Sequence, residues 1–162
     1  MDAKRIQVMA AALSMCALSA WAAEQASIVP ASRKAEAKNM RVVGYSDLQA
    51  RSAYQPTIHK QGNRYIAYIG HHGGSDTVKK PVNPMTGQPE FNGTSIVDVT
   101  DPAKPKYLIH LPGQEGTYEQ GGAQMTRVCD GKSLPKGDPN AVYLLRSFGG
   151  QGHEVWNVAD PA

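Results

Sequence analysis

The sequence contains almost no cysteine. Of its 2 cysteines, Cys16 lies in the apolar stretch near the N-terminus, and Cys129 is the single thiol of the remaining chain. One thiol builds neither an internal disulfide framework nor a Cys-x-x-Cys motif. We expect Cys129 to be a small buried hydrophobe or half of a disulfide to a cysteine outside this sequence. A catalytic thiolate would need a neighbouring cation, and the adjacent sequence offers only Arg127.

An excess of charge of one sign and the motifs of common enzymes are also missing. The formal net charge is +3 and the signs are interspersed, so no basic patch predicts a nucleic-acid partner. There is no Gly-x-Ser-x-Gly elbow, no phosphate-binding loop and no Gly-x-Gly-x-x-Gly fingerprint. We therefore assign no catalytic residue and no cofactor from the sequence.

Long apolar runs are absent except at the N-terminus. Ile6–Leu18 follows Lys4-Arg5 and precedes Ala20-Trp21-Ala22, which is the order of segments in a signal peptide. The run is too short and too rich in alanine to predict a transmembrane span. We therefore predict a signal peptide over residues 1–23 and an exported protein.

The signal peptide sets the expected location and the start of the mature chain. Cleavage is predicted after Ala22 or Ala23, which would leave a periplasmic, secreted or cell-surface protein. Lipidation at Cys16 is the alternative, although Met15 is a poor residue before a lipidated cysteine. Residues 24–39 are rich in alanine, lysine and serine without a strand pattern, so they are interpreted as a flexible leader.

Glycine and proline are plentiful, at 16 and 11 residues, which favours short strands joined by turns. One stretch occurs twice: Ile96–Ala103 reads Ile-Val-Asp-Val-Thr-Asp-Pro-Ala, and Val155–Ala162 reads Val-Trp-Asn-Val-Ala-Asp-Pro-Ala. In each copy the apolar residues predict a strand, and Asp-Pro ends it because proline has no N–H to donate. The chain therefore contains a repeated β unit.

Each unit is predicted to hold four strands in order. Strands are expected at 40–45, 55–60, 64–70, 95–99, 107–111, 123–129, 141–148 and 155–158. Tyr65 and Tyr143 align the second strands of two units, and Asn92-Gly93 predicts a hairpin turn before the third strand of the first. One unit is complete at about 49–111, and the strand at 40–45 corresponds to the last strand of a preceding unit.

The repeated stretch resembles the signature of the LVIVD-repeat proteins, secreted bacterial chains of the β-propeller type. Residues 96–105 match it, and residues 155–161 match it with Asn157 in place of the signature aspartate Asp98. The resemblance implies an all-β fold, with a partial β-propeller of four-stranded antiparallel blades over 40–162. A propeller needs at least four blades, so we expect a fragment whose further partners are the remaining blades of a full-length chain. Asp98 is interpreted as structural, because Asn157 replaces it in the second copy and still offers an acceptor oxygen.

The strand order places several polar loop residues at one rim of the predicted propeller. The candidate ligand-binding residues of this rim are His71, His72, Glu115, Glu119 and His153. Imidazoles and carboxylates also suit zinc, copper or iron, which makes a metal site the sharper hypothesis. Adjacent strand residues point to opposite faces, however, and no His-x-His spacing supports a metal. His59 and His110 lie on predicted strands and are interpreted as structural.

Two functions remain open from the sequence. The first is a secreted binding or scaffolding module that holds a protein or small-molecule ligand at the rim. The alternative is an extracytoplasmic enzyme, a hydrolase or an oxidoreductase, with its site in the propeller funnel. Convergent polar residues at equivalent rim positions of the other blades would favour the enzyme.

Overall fold

The computed structural model describes residues 38–73, 77–114 and 123–161, and within them the fold is all-β, as predicted. No α-helix occurs in these three ranges. The strands are β1 (Tyr54–Gln61), β2 (Arg64–His71), β3 (Gly93–Asp98), β4 (Lys106–Pro112), β5 (Thr126–Asp130), β6 (Val142–Phe148) and β7 (Gly152–Asn157). They form two antiparallel sheets, which we call sheet 1 (β1–β4) and sheet 2 (β5–β7).

Sheet 1 follows the chain in the order β1-β2-β3-β4, so every strand pairs with its neighbour in sequence. The four-stranded unit expected at about 49–111 is thus a single sheet. Its β3–β4 connection contains the predicted Asp-Pro corner, where the Lys104 amide donates to the Asp101 carbonyl at 3.0 Å. Proline at position 102 supplies the fixed φ that such a turn favours.

Sheet 2 repeats the central pairing of sheet 1, but one residue away from the predicted alignment. In sheet 1 Asp98 lies opposite Ile66, and in sheet 2 its equivalent Asn157 lies opposite Tyr143. Tyr143 is therefore equivalent to Ile66, and its predicted equivalence with Tyr65 is wrong. The shared tyrosine was misleading because strand register follows the inward and outward alternation rather than residue identity.

The repeated aspartate or asparagine makes the same turn in both sheets. Asp98 Oδ1 accepts from the Thr100 amide at 2.9 Å, and Asn157 Oδ1 accepts from the Ala159 amide at 3.1 Å. Asp98 also pairs with Arg64 Nε at 3.0 Å. Hydrogen bonds to Thr100, followed by the Arg64 pair, lower the pKa of Asp98 to about 2. The structural interpretation of Asp98 agrees with these contacts.

The two sheets pack face to face around one apolar core. Its buried members are Ile66, Tyr68, Ile96, Leu111, Leu144 and Val158. Val128, Val142 and Trp156 of sheet 2 pack against them. Alternate residues of each strand face this core, which is the pattern expected for sheets stacked in layers.

Arg146 on β6 ties the two sheets together at the edge of this core. Its side chain is fully buried, pairs with Glu154 Oε2 at 2.7 Å, and donates to the Thr94 hydroxyl at 3.1 Å and to the Pro112 carbonyl at 2.5 Å. The guanidinium also lies 5.5 Å from the Trp156 ring. Charge, hydrogen bonds and aromatic contact are thus satisfied together, as a buried cation requires.

The outer faces of the two sheets differ. On sheet 1, Ala67, Ile69 and Val97 are buried, and Leu48 of the preceding segment packs against them. On sheet 2, Leu145, Val155 and Cys129 lie on the face away from sheet 1, and Val155 is 64% exposed. Sheet 2 therefore presents an apolar outer face without a covering layer among the described residues.

Two local predictions are wrong. Residues 40–45 form no strand, because no strand of the described chain lies beside them to pair with; Met40 and Val42 are instead exposed. Asn92-Gly93 is not a hairpin turn, since Gly93 is the first residue of β3 and pairs with both His71 and Pro112. Glycine is required there because φ is +115° and an added Cβ would lie 2.3 Å from the Leu111 carbonyl oxygen.

Candidate functional site

The strand ends that flank the connections of the predicted rim lie at one end of the sheets. We call this end, where β1 begins and β2, β4 and β6 end, the loop end. The Ala123 amide, at the end of the β4–β5 connection, donates to the His71 carbonyl at 2.9 Å. Arg146, near the end of β6, reaches Pro112 at the end of β4. The Asp-Pro corners lie at the opposite end, which we call the corner end.

His71, a predicted rim residue, is fully buried at the end of β2. Its Nε2 lies 3.2 Å from the Ser95 amide and 2.6 Å from the Ser95 hydroxyl, and its Nδ1 contacts the Ser52 carbonyl. Because Nε2 accepts from the Ser95 amide, the proton of the neutral ring lies on Nδ1 and points to Ser52. Both ring nitrogens of His71 are therefore occupied within the chain.

A buried chain of hydrogen bonds leads from Arg51 to His71. Arg51 Nη1 donates to the Tyr107 hydroxyl at 3.1 Å, which lies 2.8 Å from the Ser95 hydroxyl. Ser95 in turn bonds to His71 Nε2. Because Nε2 is an acceptor, the Ser95 hydroxyl donates to His71. The Tyr107 hydroxyl then donates to Ser95, and Arg51 donates to Tyr107, so all three hydrogen bonds run in one direction. We call these four residues the buried relay.

His110 on β4 lies beside the buried relay. Its ring stacks on that of His71 with centroids 5.6 Å apart, and its Nε2 lies 2.7 Å from the Asn92 carbonyl and 3.5 Å from Glu90 Oε1. Burial is the main cause that lowers the pKa of His71 to about 4 and that of His110 to about 3, and nearby Arg51 contributes to both. Both imidazoles are therefore neutral at pH 7, and the expected structural role of His110 agrees with its contacts.

Ser95 and His71 have the distance of a nucleophile and its base, but their surroundings do not suit catalysis. Both residues are 0% exposed. The Ser95 hydroxyl is engaged by Tyr107 as well, and His71 Nε2 also receives the Ser95 amide. These bonds hold the hydroxyl and the imidazole within the sheet, whereas nucleophilic catalysis needs a hydroxyl that is free to attack a substrate. The pair instead connects β2 to β3.

His72 and His153 reach the loop end on different sheets. His72 packs edge-on against Tyr54 with ring centroids 5.2 Å apart, and its Nδ1 is buried without a partner. His153 is exposed on β7 opposite Ser147. Glu115 and Glu119, the other two predicted binding residues, lie outside the described residues. Ligand binding by these residues stays a prediction.

The described chain offers no assembled metal site. Within residues 38–73, 77–114 and 123–161, no group of three or more histidine, cysteine, aspartate or glutamate side chains is arranged to hold an ion. His71 could join one only by giving up its bonds to Ser52 and Ser95.

In the same three ranges, no helix is long and apolar enough to cross a membrane.

Arg51 is the functional candidate that the sequence did not reveal. It is 5% exposed, and its Nε and Nη2 are buried without a hydrogen-bond partner. It follows three residues with left-handed backbone, Leu48, Gln49 and Ala50, at φ values of 51°, 57° and 64°. This conformation costs about 1–2 kcal/mol for each non-glycine residue.

The comparisons with known proteins found no match for this chain among family models, curated proteins or solved structures. The resemblance to LVIVD-repeat proteins therefore depends on the repeated stretch alone and stays a prediction.

Proposed function

We propose that this protein is an exported β-propeller-type module of the LVIVD-repeat kind, which binds its partner at the loop end. The observation that carries the proposal is the repeat of sheet 1 in sheet 2 with the same register and the same stacking direction. Ile66 and Tyr143 occupy equivalent positions in the two sheets. Ile66 faces sheet 2, which follows it in the chain, and Tyr143 faces away from sheet 1, which precedes it. Radial repetition of four-stranded sheets in one direction is what builds a propeller.

The outer face of sheet 2 supports the same proposal. Leu145 and Val155 are 42% and 64% exposed, whereas their equivalents Tyr68 and Ile96 are at most 1% exposed beneath sheet 2. A further sheet of the same kind would bury Leu145 and Val155 as sheet 2 buries Tyr68 and Ile96. A repeat protein needs such a neighbour, because one repeat cannot bury its apolar face alone.

The location of buried polar atoms that lack hydrogen-bond partners supports binding at the loop end. Arg51 and His72 keep buried atoms without partners. Arg51 lies three residues before β1 begins, and His72 directly follows the end of β2. The residues of the corner end instead close compact turns upon themselves, as Asp98 and Asp101 do. Loops at one end of a rigid β scaffold are a common place for ligand binding.

Site-specific cross-linking in cells tests the location of the binding surface. A photoreactive residue replaces His153 at the loop end or, as the matched control, exposed Lys104 at the corner end. We expect a cross-linked partner from position 153 and none from position 104. Cross-links from position 104 alone would contradict the proposal.

Export is tested separately with a reporter that is active only outside the cytoplasm, fused after residue 39. The proposal predicts an active reporter and a mature N-terminus at residue 23 or 24 by mass spectrometry. An inactive reporter on an uncleaved chain would contradict export. Deletion of Ile6–Leu18 is the control and should abolish activity, since the apolar segment is what the export machinery recognises.

A further inference from the structure

We propose that Arg51 binds a carboxylate at the loop end through the Nε–H and Nη2–H edge of its guanidinium. The inference deepens the proposed function, because it names the chemistry that the loop end would recognise. It rests on the contacts of Arg51, on the shape of its unpartnered edge and on the charges around it.

The contacts of Arg51 are incomplete on one side only. Nη1 donates to Gln49 Oε1 at 2.5 Å and to the Tyr107 hydroxyl at 3.1 Å. Nε and Nη2 are buried and have no acceptor. A buried donor without an acceptor costs about 1–3 kcal/mol, and more when the group is charged. The fully partnered Arg146 shows what a buried guanidinium in this protein otherwise receives.

The unpartnered edge has the shape of a carboxylate site. Nε–H and one N–H of Nη2 point in the same direction in the plane of the guanidinium. A carboxylate accepts from such a pair through its two oxygens, with two parallel hydrogen bonds. A single water oxygen meets the same two donors only with bent bonds. The geometry therefore favours a planar anion with two oxygens over water.

The charges near Arg51 favour an anion of single charge. His71 and His110 are neutral at pH 7, because their pKa values lie near 4 and 3. Burial lowers the pKa of Arg51, and the nearby Tyr107 and Glu90 oppose this effect. One carboxylate neutralises the guanidinium without strong repulsion from Glu90. Phosphate, with a charge of about −1.5 to −2, would leave negative charge that Arg51 does not neutralise beside Glu90.

The strained turn before Arg51 holds this edge in place. The Asp47 side chain accepts from the Gln49 amide at 2.9 Å and stabilises the left-handed residues 48–50. Ser52, the next residue, contacts His71 through its carbonyl and His72 through its hydroxyl. Arg51 is thus fixed from both sides, which lowers the entropy that a ligand must overcome.

Arginine Nε–H resonances of the full chain test the proposal without any substitution. Sodium acetate is titrated at pH 7.5 and constant ionic strength, with sodium chloride and sodium phosphate as separate arms. We expect the Arg51 resonance to shift saturably with acetate, while those of Arg64 and Arg127 stay in place, and the thermal midpoint to rise by about 4 °C near saturation. No shift of Arg51 with acetate, a shift shared by all three arginines, or a larger response to phosphate would overturn the proposal.

Variants give a second measurement. Arg51→Lys keeps the charge but lacks the planar fork, so we expect at least a tenfold weaker acetate response; Arg127→Lys is the matched control and should respond as the wild type does. Equal acetate affinity in Arg51→Lys would overturn the proposal. If Arg51→Lys does not fold, the wild-type titration decides. Acetate binding without any cross-link at position 153 would retain this inference and reject the proposed binding surface. A cross-link at position 153 without acetate binding would retain the binding surface and reject this inference.

Discussion

Ile96 and Val155 occupy the same position in two successive sheets, yet Ile96 is 1% exposed and Val155 is 64% exposed. Each stands two residues before the aspartate or asparagine that makes the equivalent turn. The difference arises from what covers them. Sheet 2 lies on Ile96, whereas no described residue forms a sheet over Val155.

The exposed face of sheet 2 predicts self-association of the chain. Val155→Lys should weaken it by about tenfold or more, because the apolar contact of one valine is worth about 1.5 kcal/mol. Sedimentation velocity over a range of concentrations measures this. Val42→Lys is the control, since Val42 is 78% exposed and lies outside both sheets. A wild-type chain that stays monomeric at every concentration would contradict the prediction.

The two buried histidines predict that the free energy of unfolding falls as the pH is lowered from 6.5 towards 4. In the folded state the pKa of His71 is about 4 and that of His110 about 3, whereas both are near 6.5 when unfolded. The unfolded chain therefore takes up protons first, and acid favours it. Each histidine contributes up to about 1.4 kcal/mol per pH unit.

Urea unfolding at a series of pH values measures this dependence. His110→Gln should reduce the slope, because glutamine can still donate to Asn92 but does not titrate. His153→Gln is the control, since His153 is exposed. A stability that does not change between pH 6.5 and 4 would show that the histidines are not held neutral.

Arg146→Met should destabilise the fold by about 3–5 kcal/mol. The change leaves Glu154 without its charged partner and the carbonyls of Leu111 and Pro112 without their donor. Equilibrium urea unfolding measures the loss. Arg127→Met on the adjacent strand is the control, because exposed Arg127 should change stability by only about 0.5 kcal/mol. Equal losses in the two variants would contradict a tethering role for Arg146.

Asp98→Asn should cost no more than about 1 kcal/mol, because asparagine makes the same turn at position 157. Only the pair with the partly exposed Arg64 is lost. Asp98→Ala should cost about 1 kcal/mol more, since the turn then loses the hydrogen bond from the Thr100 amide. Both are measured by urea unfolding at pH 7. Asparagine as damaging as alanine would reject the turn as the role of Asp98.

The sequence predicted the strands well because each has a local signal. Seven of the eight expected strands form, and the Asp-Pro corner lies between β3 and β4. Residues 40–45 have the composition of a strand but form none, because pairing depends on a partner that local pattern does not reveal. The one-residue shift at Tyr143 has a similar cause, since register is set by which face is buried.

The site was less predictable than the fold. His71 and His72 were placed at the correct end, but burial of His71 depends on Ser52 and Ser95, which are distant in sequence. Arg51 was missed because its importance comes from the absence of acceptors around two atoms. Such a property belongs to the packed structure, and no residue pattern along the chain records it.

Hα–Hα nuclear Overhauser contacts decide whether sheet 2 repeats the register of sheet 1. The Val99 amide donates to Tyr65 and the Val158 amide to Val142, so the next pairs inward are of the non-hydrogen-bonded type with close Hα atoms. We expect strong contacts for Ile66–Asp98 and for Tyr143–Asn157. Asn157 opposite Val142 or Leu144 instead would contradict this expectation.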